Sequence, residues 1–289
     1  MTYVWFDALV NYISFAPGYD PAAGAELGEF KQWWPALHVI GKDIMIPAHG
    51  VYWPIMLKAL GFANDEIPPL LVHGWWNIGG AKMSKTLGNV VDPNALADKY
   101  GAEALRYYLT SDIATGRDAD FSEERLVQRY NTDLANSIGN LLNRKLNMAF
   151  KYRESRLVAH SLNPTATNGH VENYCKAMDE FRVHQALESA MAIAVGCNQL
   201  IDVEKPWALA KDPAQTDRLD AVLYQLAESL RIIAILISPV LPKAAAGIFA
   251  QLNWNGPMTL SETQWGKLPD GHQLGQATPL FPRIEVAAE

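Results

Sequence analysis

An α/β segment followed by an all-α segment is the fold class this 289-residue sequence predicts, and three observations carry that expectation. Short apolar runs at residues 37–40 and 70–73 flank a helix-patterned stretch, the order of a parallel strand, a crossover helix and a second strand. From about Asp92 onward apolar residues recur at helical spacing, with Ser, Pro and Gly at the breaks. Between the two parts lies a loop, Gly80-Ala81-Lys82-Met83-Ser84-Lys85-Thr86-Leu87-Gly88, that is neither strand nor helix in pattern.

Taken in order, residues 3–6 (Tyr-Val-Trp-Phe) read as a first strand, beginning almost at Met1. Leu37-His38-Val39-Ile40, ending at Gly41, and Leu70-Leu71-Val72-His73, preceded by Pro68-Pro69, read as buried parallel strands. Residues 51–60 form a helix closed by Gly61. This part supplies too few strands for a stable layer by itself. Pro93 starts a helix that Gly101 separates from another over residues 102–109, and residues 118–121 are extended. Ser122 is the N-cap of a long helix running towards Lys151. After a polar loop at 163–169, amphipathic helices follow near 171–203, 206–211, 216–237 and 242–251, with Pro239 and Pro242 marking the last break. They make an antiparallel bundle expected to fold alone from about Ser122, and residues 256–289 make an extended tail over it. The expected divisions are 1–83, 84–121, 122–255 and 256–289.

With 49% apolar and 19% charged residues the chain is globular, not disordered. Cys175 and Cys197 offer neither a disulfide framework nor a zinc spacing and read as buried thiols of a reducing compartment. The sequence has no signal peptide and no long uninterrupted apolar run, so a soluble, cytoplasmic chain without a membrane partner is expected. A net charge of −7 excludes a protein that coats nucleic acid non-specifically, but not one with a local RNA-binding surface.

Four constellations carry chemistry. The loop brackets a Met-Ser step with Lys82 and Lys85 and adds the Thr86 hydroxyl, so it can close two cations on a phosphate chain. A basic surface turn is the bland alternative, and the continuation Gly88-Asn89-Val90-Val91-Asp92-Pro93 disfavours it. Gly41-Lys42-Asp43-Ile44 puts a carboxylate at the carboxyl end of a parallel strand, where it can accept from ribose hydroxyls. Trp5 and Tyr12 could hold a thioether on aromatic faces, with Ala8, Leu9 and Ile44 as wall and His49 closing the pocket, although core aromatics would look the same in composition. Asn136, Asn140 and Arg144 recur every fourth residue on one helix face, and Trp207 follows Pro206 just inside a helix start. Such groups read and stack unpaired bases, yet a polar face and a core tryptophan are the alternative.

Together these strings resemble class I aminoacyl-tRNA synthetases, and among them the bacterial methionyl-tRNA synthetases. The loop is similar to the KMSKS signature, with Lys85 at the second lysine and Thr86 where serine is commonest. The resemblance implies that Lys85 and, more weakly, Lys82 act catalytically on the phosphates. It also implies that Lys82, Met83, Ser84, Lys85, Thr86, Gly41 and Asp43 bind ATP. The string Trp5-Phe6-Asp7-Ala8-Leu9-Val10-Asn11-Tyr12-Ile13 resembles the methionine-pocket strand and helix, implying methionine binding by Trp5, Ala8, Leu9, Tyr12, Ile44 and His49. Met45-Ile46-Pro47-Ala48 carries one residue more ahead of His49 than the shortest family form. Asn140, Arg144 and Trp207 match anticodon-reading positions in Asn-Leu-x-x-Arg and Pro-Trp contexts.

The resemblance spans essentially the whole chain, through Pro279-Leu280-Phe281-Pro282-Arg283-Ile284. The first half of the nucleotide-binding fold, with its His-x-Gly-His motif, the α-amino-binding carboxylate and any zinc insertion, has no counterpart. What is implied is the second half of a Rossmann-like domain, a linker fold bearing the KMSKS-type loop, and an anticodon-binding bundle. The implied protein is a methionine-tRNA ligase using methionine, ATP with Mg2+ and tRNA(Met), monomeric, without a zinc site or an appended dimerisation domain, and inactive as this chain alone. The rival reading is a non-catalytic anticodon-binding module derived from such an enzyme. A leucine, isoleucine or valine enzyme is a further reading, opposed by the Trp5 string.

Overall fold

The computed structural model describes residues 3–20, 29–84, 86, 88–160, 167 and 169–285. They form two compact units, Met1–Thr86 with Thr115–Asp120, and Leu87–Ala114 with Phe121–Glu289. Lys85 and the polar loop at 163–169, apart from Thr167 and Gly169, lie outside the described residues.

In the first unit the segment expected as a strand is instead a helix, α1 (Val4–Ala8), followed by a short α2 (Asn11–Ser14). Burial follows the helical period: Leu9 and Ile13 are buried and Trp5 packs beside them, whereas Tyr3, Val4 and Phe6 face outwards. A helix satisfies its own backbone, so it needs no neighbouring strand. β1 (His38–Gly41) pairs in parallel with β2 (Leu70–His73), His38 opposite Leu70 and Gly41 opposite His73. These strands are less buried than expected, Val39 being exposed and β2 only half-covered, because among the described residues the sheet has just two strands. The helix predicted over 51–60 starts earlier. Met45–Tyr52 is wound in wide π-helical turns, with Ile46 off the helical path, before α3 (Trp53–Ala59). The core gathers Leu9, Ile13, Phe30, Trp34, Trp53, Leu57 and Phe62.

β3 (Trp76–Ile78) turns through Gly79 and Gly80, at φ +58° and +76°, into β4 (Ala81–Lys82). Two successive left-handed residues are what a tight hairpin turn requires. β5 (Ala119–Asp120) pairs in parallel with β3. Its approach demands glycine at 74, where a Cβ would stand 2.1 Å from the Arg117 carbonyl oxygen.

The second unit is helical. Asp92 accepts from the Asn94 amide to cap α4 (Pro93–Tyr100), and Gly101 at φ +90° turns the chain into α5 (Ala102–Ser111). Ser122 caps α6 (Glu123–Arg129) as expected, its hydroxyl accepting from the Arg125 amide at 3.2 Å. The expected single long helix is wound wider over Tyr130–Gly139 before it returns to α form as α7 (Asn140–Arg153). The run at 171–203 is two helices, α8 (His170–Asp179) and α9 (Val183–Glu204), parted at Phe181, whose φ is +56°. Then come α10 (Pro206–Leu209), α11 (Thr216–Ile237) and α12 (Pro242–Leu252).

α11 is the axis of this unit, buried on every side from Leu219 to Ile237. Its charged pair is inward too. Arg231 and Glu228, both fully buried, meet at 2.6 Å, and Arg231 donates to the carbonyls of Glu262 and Gln264. Glu228 accepts from the amides of Gly266 and Leu268. The pair therefore pins the extended tail to the bundle, satisfying its own charges with tail backbone. α5 belongs to the same body: Glu103 accepts from the Lys243 and Ala244 amides that open α12, and Arg106 donates to the carbonyls of Pro239 and Val240. Of the two cysteines only Cys197 is fully buried, its thiol pushed up to about 11 by burial, whereas Cys175 is half-buried.

Candidate functional site

The end of β1 joins two clusters in the first unit. On one side an aromatic nest forms around His49. Its Nδ1 faces the Ile44 carbonyl at 2.9 Å, which fixes the ring proton there and leaves Nε2 to accept from the Tyr12 hydroxyl at 2.9 Å. Trp5 meets the same imidazole edge-on, ring centres 6.0 Å apart. Tyr12 in turn stacks on His38 at 4.1 Å, and Trp53 donates its indole N–H to His38 Nε2 at 3.2 Å. Burial and the neighbouring His49 lower the His38 pKa to about 4, so this ring stays neutral and keeps accepting. Burial also raises the Tyr12 pKa, which keeps its hydroxyl a donor.

Trp5, Tyr12, Ile44 and His49 are thus brought together from two stretches of sequence. The wide turns of Met45–Tyr52 return the imidazole of His49 to the Ile44 carbonyl. Leu9 lies in the core and Ala8 is half-buried on α1. His38 and Trp53 were not singled out from sequence. Trp53 follows His49 by four residues, a spacing that could have found it.

On the other side, Asp43 stands where the parallel pair ends. Lys42 receives a backbone bond from strand to turn, its amide donating to the His73 carbonyl at 3.1 Å. The Asp43 carboxylate lies 3.9 Å from Lys82 Nζ, so two motifs 39 positions apart in sequence share one site. At Gly41 a Cβ would come 2.6 Å from Asp43 Oδ1, so a side chain there would displace the carboxylate. Beyond β4, Met83 and Ser84 are half-buried, and the Ser84 hydroxyl accepts from the Thr86 amide at 3.2 Å. A carboxylate suited to ribose hydroxyls beside a cation suited to phosphate is a chemical match for a nucleotide.

In the second unit Asn136, Asn140 and Arg144 line one groove of about 340 Å³ with α9 opposite. Both asparagines are exposed, and Arg144 donates to Asp202 at 2.9 Å. Trp207 sits at the next corner, with 42% of its surface exposed. Lys205, at φ +47°, makes the turn between α9 and α10, and Arg218 grips Glu204 behind it. Trp207 is therefore only partly covered and does not fill a core. Among the described residues no group of three His, Cys, Asp or Glu is arranged to hold a metal, and no helix is long and apolar enough to cross a membrane.

Residues 1–146 match the family model of tRNA synthetases class I (M), and residues 155–288 match that of the anticodon binding domain of methionyl tRNA ligase. The methionine–tRNA ligase of Caldanaerobacter subterraneus is 42% identical over 99% of this chain and 45% of its own length. That of Bacillus subtilis is 40% identical over 100% and 44%, respectively. A solved structure, Mycobacterium tuberculosis methionyl-tRNA synthetase in complex with methionyl-adenylate, superposes with a TM-score of 0.87 at 37% identity, covering 97% of this chain and 56% of that one. The chain spans about half the length of the relatives it matches.

Proposed function

The chain belongs to the class I tRNA synthetases (M), and from that premise we infer that it is the part of a methionine–tRNA ligase that holds the nucleotide by one side and reads the tRNA anticodon. The observation that carries the reading is the meeting of Lys82 with Asp43 at 3.9 Å, which supports pairing a phosphate cation with a ribose acceptor in one site. In the reaction, the methionine carboxylate attacks the α-phosphate of ATP, pyrophosphate leaves, and the acyl group then passes to the terminal ribose of tRNA(Met). Lys85 and Lys82, with Met83, Ser84 and Thr86 of the same loop, stabilise charge building on the phosphates, an electrostatic role without proton transfer. Mg2+ enters with the nucleotide. Gly41 and Asp43 hold the nucleoside.

Trp5, Tyr12 and His49, with Ala8, Leu9 and Ile44, bind the methionine side chain; the meeting of Trp5 and Tyr12 on the His49 ring supports this, since aromatic faces and edges suit a thioether. Asn140, Arg144 and Trp207 read the anticodon, supported by the exposure of Asn140 and Trp207 and by the groove that Asn140 shares with the half-buried Arg144. The protein acts as a cytoplasmic monomer. Fluorescence anisotropy of the chain with the tRNA(Met) anticodon stem-loop tests the reading, because a stem-loop with a changed anticodon should bind distinctly more weakly. Equal binding of both would reduce the surface to a generic RNA site.

A second reading, a non-catalytic anticodon-binding module, is favoured by the match of residues 155–288 to the anticodon binding domain model. Restoring the remaining length and measuring methionine-dependent pyrophosphate exchange separates the two.

A further inference from the structure

Trp75 lies just past β2, and two lysines converge on it. Lys42 Nζ is 4.0 Å and Lys82 Nζ 4.1 Å from the centre of its ring. Each lysine also has a carboxylate: Lys42 meets Asp118 at 2.5 Å and Lys82 meets Asp43 at 3.9 Å. Asp118 is itself fixed by the Trp75 amide at 2.9 Å, and the hydrogen bonds from Lys42 and from this amide hold its carboxyl below the usual range. The resting cluster therefore balances two cations with two anions around one indole.

We propose that Trp75 is a cation platform that gathers Lys42 and Lys82 at the end of the β1–β2 pair, making Lys42 a further polyphosphate-binding residue beside the loop. The proposal rests on the reading of the Lys82 loop as the phosphate site. The physical reason lies in what a ring does and a carboxylate does not. An indole face attracts an ammonium through its quadrupole yet carries no formal charge. When a polyphosphate arrives and competes with Asp43 and Asp118, both lysines remain held by the ring and remain full cations. A long flexible side chain that is already placed loses less freedom on binding. Lys42 sits one residue from Asp43, so a nucleotide whose ribose meets Asp43 has its phosphates within reach of both lysines. The alternative is that Lys42, Trp75 and Asp118 only staple the end of β1 to the chain entering β5.

Calorimetry of the 289-residue chain at low salt, with inorganic tripolyphosphate and with Mg-ATP as probes, separates the two. Trp75→Leu, which keeps bulk and removes the ring, should weaken tripolyphosphate binding by about five- to tenfold, and Trp75→Phe should restore it to within about twofold. Lys42→Met and Lys82→Met should each weaken it by about tenfold. Proton NMR supplies a second readout: the ε-methylenes of Lys42 and Lys82 should be shifted upfield by the indole and relax together in Trp75→Leu. Unchanged tripolyphosphate affinity in Trp75→Leu, with both upfield shifts lost, overturns the proposal in favour of the staple. A loss in Lys42→Met and Trp75→Leu without one in Lys82→Met supports the platform and overturns the loop reading. No binding by the unsubstituted chain overturns both.

Discussion

Lys145 is the hardest side chain to account for at the level of single residues. It sits in α7 fully buried, and among the described residues its ammonium has no hydrogen-bond partner. Burial lowers its pKa well below the ordinary lysine range. The unfolded chain keeps the higher value, so below it the unfolded state binds the extra proton and stability suffers. That cost is relieved as pH rises towards the unfolded pKa. Lys145→Met should therefore raise the melting temperature at pH 7, with a smaller gain at pH 10, as circular dichroism would record; equal gains at both would mean the amine is not the cause. Lys85 belongs to the same scale but to chemistry. In a chain joined to the rest of the catalytic domain, Lys85→Ala should lower the adenylation rate by several orders of magnitude and leave methionine affinity nearly unchanged, because the contact strengthens in the transition state. Lys82→Ala should follow it more mildly. If methionine affinity drops as far as the rate, Lys85 does not act on the phosphates.

At the scale of elements, α10 is one helical turn that carries the exposed Trp207. Stacking on a loop base contributes roughly 1–3 kcal/mol, so Trp207→Ala should weaken stem-loop binding by about ten- to hundredfold, and Trp207→Phe should recover part. Loss of binding only through unfolding would return Trp207 to the core. A second expectation concerns where the helical body begins. With Glu103 capping α12 and Arg106 holding the turn before it, a fragment starting at Leu87 should melt at a higher temperature than one starting at Ser122. Equal melting of the two would make α5 a passenger. The helices near 216–237 and 242–251 were readable in sequence because period, Pro and cap signals agreed. Residues 3–6 were not: a four-residue aromatic run has too few positions to show a period, and Leu9 and Ile13 further on decide its face. The Tyr12–His49 pair was legible only through resemblance, whereas the gathering of Lys42 and Lys82 on Trp75 brings together residues 33 and 7 positions away in sequence, which no local pattern reports.

On the scale of the whole molecule, the two units are unequally provided for. The helical unit closes a core around α11 and seals it with the tail. The first unit, as described, rests on the two-stranded β1–β2 sheet and the short three-stranded β4–β3–β5 sheet, and it leaves an apolar groove of about 520 Å³ open between Tyr3, Phe6, Tyr52, Ile55 and Leu60. A two-stranded layer is marginal in water, and an open edge beside apolar surface invites association. Transition-state stabilisation needs donors fixed around the phosphates, and among the described residues the candidate cations Lys42 and Lys82 gather at the end of the β1–β2 pair. This chain alone should therefore give no methionine-dependent pyrophosphate exchange, and its first unit should bind a hydrophobic dye. Stem-loop binding, which draws on the other unit, should persist and fall as salt rises. Robust exchange by the purified 289-residue chain would sink this view, since half a phosphate site would then suffice. Dye binding that vanishes once the remaining length is restored, together with the appearance of exchange, would tie both deficits to the same open groove.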